Sequence, residues 1–299
     1  MCVDERYTRN KARVAILGSG SVGTDLMFKT LKDPQLLMGP LVGRRKESPG
    51  LAVANDLGVE TTIEGLAYFE ADPDGYDIVF DATSADSHLV HAPVLSALGA
   101  TVVDLTPAKL GPYCVPAINL GDLTNQKNVN MVTCGGQATI PLIRAISDCC
   151  EEIEYVEIVS AISSDSAGQA TRENIDKYIT TTEDAIKQLS KARSAKTILN
   201  INPAVPQVVM QSTIFITAGR IDLDKVVDSA HKAAESVRAY VPGYEVAVEP
   251  RLRSTREVVL SVRVRGSGDY LPSHAGNLDI INCAAIAAAK ALTQFEKSS

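Results

Sequence analysis

The sequence predicts an α/β protein, a doubly wound parallel sheet of Rossmann type followed by an α+β domain. Three observations carry that expectation. An apolar run at Arg13 to Leu17 leads straight into Gly18-Ser-Gly-Ser-Val-Gly23 and a helix. Further apolar runs then alternate with helix-spaced segments, as a parallel sheet with crossover helices requires. Beyond residue 150 the continuous runs give way to alternating ones, which suit an antiparallel sheet with one face buried.

The elements follow in order. Arg13 to Leu17 reads as a buried parallel strand and the segment through Leu26, Met27, Thr30 and Leu31 as its helix. Pro40 to Gly43 reads as a second short strand, Tyr76 to Asp81 as a third after the turn at Pro73-Asp-Gly75, and Thr101 to Leu105 as a fourth. A helix is expected from Ser87 to Leu98. Asn128 to Thr133 reads as a fifth strand, followed by Cys134-Gly-Gly-Gln and a helix from Ala138 to about Cys150. The second domain should hold strands at 155–163, 208–217, 244–248 and 257–265, with a helix carrying Val226, Val227, Ala230, Ala233, Ala234 and Val237. The tail from Asn277 to Phe295 is an alanine-rich helix suited to returning to the first domain. The expected division is 1–133, 134–275 and 276–299.

A chain of 299 residues with 45% apolar and 22% charged residues has the makeup of an ordinary soluble globular protein with two cores. Its net charge of −7 argues against non-specific binding to nucleic acid or to an anionic membrane surface. No stretch of about 18 apolar residues occurs, and the first residues lack a signal peptide's pattern, so a cytoplasmic protein without membrane attachment is expected. Six scattered cysteines without C-x-x-C spacing should be free thiols.

The glycine pattern after a strand and before a helix is the context a dinucleotide needs: Gly18, Ser19, Gly20, Ser21, Val22 and Gly23 form a turn whose backbone meets a pyrophosphate at a helix N-terminus. A plain glycine-rich turn is the bland alternative. After the second strand a free ribose 2′-hydroxyl calls for an acid and a 2′-phosphate for an arginine. Arg44, Arg45 and Lys46 stand there, which favours NADP over NAD, unless the run is only a wetted cationic turn.

Cys134 is the expected nucleophile, because a strand-to-helix junction should lower its pKa and favour the thiolate. Gly135 and Gly136 leave room for a carbonyl beside backbone N–H groups that suit an oxyanion. Cys114 lacks a following helix and reads as structural, and the dipole disfavours a thiolate at Cys149 and Cys150. His88 and His91 share a helix, but no third ligand is apparent, so no metal site is expected. His274 suits a packing or supporting role better than that of a base.

The strings ILGSGSVGTDLM, VFDATSA, DLTPAKLGPYCVP, NVNMVTCGGQATIP, SAGQATRENID, YVPGYE and DYLPSHAGNLDI resemble the acylating acetaldehyde dehydrogenases that partner with 4-hydroxy-2-oxovalerate aldolase, over about residues 11–289. The resemblance implies a homodimer and conversion of aldehyde, coenzyme A and NAD(P) to acyl-CoA and NAD(P)H, in either direction. It places the nucleophile on Cys134, the cofactor loop on 19–22, a second cofactor segment on Ser166, Ala167 and Gly168 through Asn174, and a nicotinamide-side asparagine on Asn277. Asn174 is implied to help hold the thioester oxygen. The sequence departs from the family at Arg45, where an acid is usual, and at Gly168-Gln169-Ala170, where Gly-Pro-Gly is usual. The segment between Tyr244 and Tyr270 is also short for the family. The Met-Arg-Asp-Thr motif reads Met210-Gln211-Ser212-Thr213, and Gln211 is expected beside Cys134 with an amide in place of the assisting carboxylate. Two other readings remain open: a semialdehyde dehydrogenase of acyl-phosphate type, and a weakened nucleotide-binding subunit of a partner enzyme.

Overall fold

The computed structural model describes residues 11–296, which fall into two compact units. One comprises 11–114, 120–131 and 285–296, and the other 115–119 and 132–284.

The first unit is built on six parallel strands: β1 (Ala12–Leu17), β2 (Leu36–Val42), β3 (Thr61–Thr62), β4 (Ile78–Asp81), β5 (Thr101–Asp104) and β6 (Asn128–Asn130). Their order in the sheet is β3-β2-β1-β4-β5-β6, the Rossmann arrangement. The connections carry α1 (Ser21–Lys32), α2 (Pro49–Asp56), α3 (Leu66–Ala71) and α4 (Ala85–Ala97). Ala15, Leu17, Val42, Val79 and Val102 pack with Phe69 and Leu95 into one core.

Two expectations need correction here. β2 begins four residues before Pro40, and the pairing with β1 slips by one residue between Val14/Met38 and Ile16/Leu41. A bulge there accommodates a proline that has no N–H to give the ladder. The fifth expected strand stops at Asn130, because Val132 takes a positive φ of 60° and turns the chain out of the sheet. β3, α2 and α3 are too short to show periodicity in the sequence.

The second unit holds β7 (Ile153–Ser163), β8 (Ser194–Asn202), β9 (Met210–Ala218), β10 (Tyr244–Ser254) and β11 (Glu257–Val264), in the order β10-β11-β9-β7-β8. The sheet is mixed, not antiparallel as expected. β7 and β8 run parallel, joined through α7 (Gln169–Glu173) and α8 (Ile175–Ser190), since a parallel return needs a crossover of a dozen residues or more. The short α5 (Pro116–Asn119) opens this unit. α6 (Cys134–Ser147) lies on β7, β9 and β11, with α8 and α9 (Leu223–Arg238) packed to either side. β9 alternates cleanly: Met210, Ser212, Ile214, Ile216 and Ala218 are buried, and the residues between them are half-exposed.

The last helix, α10 (Gly276–Glu296), gives its first residues to the second unit and its remainder to the first. No described helix is long and apolar enough to cross a membrane. Cys2 lies outside the described residues.

Candidate active site

Each glycine of the first loop has its own reason. Gly18 sits at φ +111°, and a Cβ there would lie 2.5 Å from the Ala82 carbonyl oxygen. A Cβ on Gly23 would lie 1.9 Å from the Gly18 oxygen, so only glycine lets α1 start this close to β1. Gly20 meets nothing within 4 Å. Its bare backbone therefore faces open space, the room a pyrophosphate needs to approach. α1 has Gly20 as its N-cap, no side-chain cap bond and no acid in its first turn. With no side-chain cap and no acid, the start of α1 suits an anion.

The loop is latched to the turn after β2. Ser19 Oγ lies 2.7 Å from Ser48 Oγ, which also donates to the Ser19 carbonyl at 3.1 Å. A Cβ on Gly50 would strike the same carbonyl at 2.3 Å. Arg44 and Arg45 are exposed on that turn. These residues fit a dinucleotide.

At Cys134 the structure corrects the sequence reading. α6 begins at Cys134 itself, with Thr133 as its cap: the Thr133 hydroxyl accepts the Gly136 N–H at 3.0 Å. The two glycines are first-turn residues required by packing. A Cβ on Gly135 would lie 2.2 Å from the Tyr178 hydroxyl, and one on Gly136 would lie 2.6 Å from Val132 Cγ1. Their N–H groups are not an open oxyanion hole either. Gly136 serves Thr133, and Gly135 donates to Tyr178 and toward the Cys134 sulfur.

Sγ of the half-buried Cys134 lies 3.9 Å from the Tyr178 hydroxyl. Burial pushes the thiol up to about 11, against the opposing pull of Tyr178 and the N–H groups of Gly135 and Cys134. The expected depressed pKa is therefore overturned, because desolvation outweighs the helix N-terminus. Cys114 is fully buried and pushed up to about 12. Cys149 Sγ meets Ser229 Oγ at 2.9 Å just past the end of α6.

Gln211 does not lie beside Cys134. Its Nε2 donates to Ser261 Oγ at 3.1 Å on the sheet face away from α6. The neighbouring Ser212 faces α6, bonded at 2.7 Å to Ser160 Oγ, which would lie 3.5 Å from a Cβ on Gly135. The pleat alternates with period two, so moving by one residue changes the face. The third letter of the family motif falls on Ser212, whose hydroxyl is on the α6 face.

Asn174 is half-buried at the N-cap of α8, and its carbonyl accepts the Tyr178 N–H at 2.8 Å. That places it one helical turn before the tyrosine that meets Cys134. Ser166 and Ala167 are buried, whereas Gly168 is exposed with open space at its Cβ position. Asn277 is buried and donates to the Ser166 carbonyl at 3.2 Å, and its Oδ1 has no hydrogen-bond partner. An orphaned buried acceptor beside the Ser166 loop fits a carboxamide donor. His274 Nε2 bonds Asp165 at 3.0 Å, and Asp165, held low by the Ser163 hydroxyl and by His274, steadies the same loop.

His88 and His91 both place Nδ1 on Asp81 Oδ2, at 2.9 and 2.8 Å. Among the described residues no group of three or more His, Cys, Asp or Glu side chains could hold a metal. Sequence reasoning missed Tyr178, Ser160, the α6-facing side of Ser212 and the buried pairing of His88 with Asp81 and Asp104. The aspartates that close VFD and VVD were the available signal for the last group.

Two family models match this chain. One, described as semialdehyde dehydrogenase, NAD binding domain, covers residues 13–126, and one, described as prokaryotic acetaldehyde dehydrogenase, dimerisation, covers 134–272. Curated relatives named acetaldehyde dehydrogenase include those of Burkholderia thailandensis, 53% identical over 94% of each chain, and Spirochaeta aurantia, 50% identical over 93% of each. Among solved structures, an aspartate semialdehyde dehydrogenase II from Vibrio cholerae superposes with a TM-score of 0.65 at 15% identity, covering 95% of this chain and 99% of that one.

Proposed function

Since this chain belongs to the acetaldehyde dehydrogenase family, we propose that it oxidises a short aldehyde through a thioester on Cys134 and passes the acyl group to coenzyme A, with NADP preferred to NAD. The observation that carries the chemistry is a half-buried thiol at the first residue of α6, with a hydroxyl and backbone N–H groups turned toward it.

Cys134 Sγ loses its proton to solvent and attacks the aldehyde carbon, opening the C=O double bond to give the hemithioacetal as its alkoxide. A bound nicotinamide supplies the hydride acceptor. Asn174, at the head of α8, is placed to steady the carbonyl oxygen as the hemithioacetal becomes a thioester. Attack by the coenzyme A thiol then forms acyl-CoA and returns Cys134 as the leaving sulfur. The same residues serve acyl-CoA reduction when the reduced cofactor is in excess.

For the cofactor, the bare Gly20 backbone and the uncapped start of α1 suit the pyrophosphate. Arg45, helped by Arg44, suits a 2′-phosphate on the turn that Ser48 latches to Ser19. The unpartnered Oδ1 of Asn277 suits the nicotinamide amide, beside Ser166, Ala167 and Gly168. The match to a dimerisation domain supports a homodimer. An aldolase partner follows from the family resemblance alone.

A panel of short aldehydes, assayed with coenzyme A or phosphate and with NAD or NADP, tests this reading. Turnover should need coenzyme A and vanish in Cys134→Ser while persisting in Cys114→Ser. Phosphate as the sole acyl acceptor would favour the acyl-phosphate reading, and cofactor binding without turnover would favour a nucleotide-binding subunit.

A further inference from the structure

Tyr178 is almost completely buried, with 6% of its surface exposed, yet its hydroxyl is at a crossroads. It accepts the Gly135 N–H, meets the Thr133 hydroxyl and lies 3.9 Å from Cys134 Sγ. Among the described residues it is the one side chain hydrogen-bonded to that sulfur. Its position is fixed from both ends. Thr182 Oγ1 donates to the Tyr178 carbonyl at 2.7 Å and lies 2.7 Å from Thr133 Oγ1, the cap of α6. Gly135 is bare where a Cβ would strike the hydroxyl.

Resting on the reading of Cys134 as nucleophile, we infer that Tyr178 is a catalytic residue whose hydroxyl switches roles at the sulfur: it accepts the S–H of the resting thiol and donates to the sulfur whenever that atom is anionic. A hydroxyl can rotate between the two. The anionic moments are the start of attack on the aldehyde and the departure of Cys134 from the thioester. Burial holds the phenol well above its usual pKa, so it keeps its proton and acts as a donor, not as a base. The proton lost from the resting thiol goes to solvent. The hydroxyl thereby offsets part of the desolvation that makes the thiolate scarce.

The experiment measures iodoacetamide alkylation of Cys134 by mass spectrometry, alongside steady-state kinetics, in Tyr178→Phe and in protein carrying 3-fluorotyrosine at 178. Losing the donor should raise the thiol pKa by about one unit, a tenfold loss of thiolate. The weaker acid is the better nucleophile, so alkylation at pH 8 should slow by about threefold. kcat should fall while KM for the dinucleotide holds. The fluorinated phenol, a stronger donor, should alkylate at least as fast as wild type. Wild-type alkylation in Tyr178→Phe overturns the inference. Should that variant not fold, a fluorinated protein slower than wild type overturns it instead. Full turnover in Cys134→Ser strikes the nucleophile assignment itself, whereas an inactive Cys134→Ser with a wild-type Tyr178→Phe strikes only the role of Tyr178.

Discussion

His88 Nδ1 lies 2.9 Å from Asp81 Oδ2, with both side chains completely buried, and His88 Nε2 lies 3.4 Å from Asp104 on the other side. Burial opposes charge on Asp81, but hydrogen bonds from His88, His91 and Thr83 outweigh it and hold the carboxyl at about 2. Burial dominates at Asp104 and lifts it to about 7. Burial also opposes charge on His88, yet the Asp81 bond and the two carboxylate fields raise its pKa. The signs fix the pH dependence. The contribution of Asp81 is present above about pH 4, the unfolded value, and is lost on acidification toward 2. That of Asp104 is complete below about pH 4 and is lost as pH rises to about 7, whereas that of His88 is complete below about 6.5, its unfolded value, and is lost above it. Denaturant unfolding should therefore show a drop in stability as pH rises from about 4 through 7. In His88→Gln, stability at pH 6 should be lower and that drop smaller. A variant that keeps the full drop would place the titration elsewhere.

The glycine loop separates folding from binding. Gly23→Ala forces a Cβ to within 1.9 Å of the Gly18 oxygen and should destabilise the first unit by about 3 kcal/mol. Gly20→Ala meets nothing, so its melting temperature should match wild type while dinucleotide affinity falls at least tenfold. Calorimetry for both variants checks the pair. Equal melting temperatures for the two would contradict the geometry.

Arg45→Asp should reverse cofactor preference, lowering kcat/KM for NADP by about 10²-fold through loss of a charge-assisted phosphate contact of roughly 2–3 kcal/mol. NAD should be affected little. Higher efficiency with NAD in the natural protein would remove the basis for this assignment.

Gln211→Ala should leave the alkylation rate of Cys134 and the pH–rate profile near wild type, since this side chain reaches Ser261 on the face away from α6. Ser212→Asp should instead slow alkylation and move the profile to higher pH, because a carboxylate on the α6 face repels the thiolate. Identical profiles for the two variants would show that the face of β9 does not matter.

Much of the first unit could be read from the sequence because its signals are local. A contiguous apolar strand, a glycine loop and an amphipathic helix adjoin one another in twenty residues. What escaped depends on distant partners. The buried side of α8 carries Tyr178, Thr181 and Thr182, whose hydroxyls conceal the apolar periodicity. β8 buries only Thr197, so it shows no alternating apolar face. Gly135 and Gly136 read as a loop, although Tyr178 and Val132 impose them on the first turn of a helix. The Gln211 placement failed by one residue, which in a strand is the difference between the two faces of a sheet. The thiol pKa failed for a related reason. Helix direction is visible in a sequence, but the depth of burial is not.

Lys290 on α10 bonds Asp33 at 3.0 Å, and Ala285, Ala288, Ala289 and Leu292 on the same helix are buried in the unit to which β1 belongs. A ribosome therefore releases all six strands of that unit long before the helix that completes its core exists. The nucleotide-binding half cannot reach its final state once its own strands have emerged, as N-terminal domains ordinarily do. It must wait, with part of its apolar surface uncovered, until residues 285–292 have followed the whole of the second unit out.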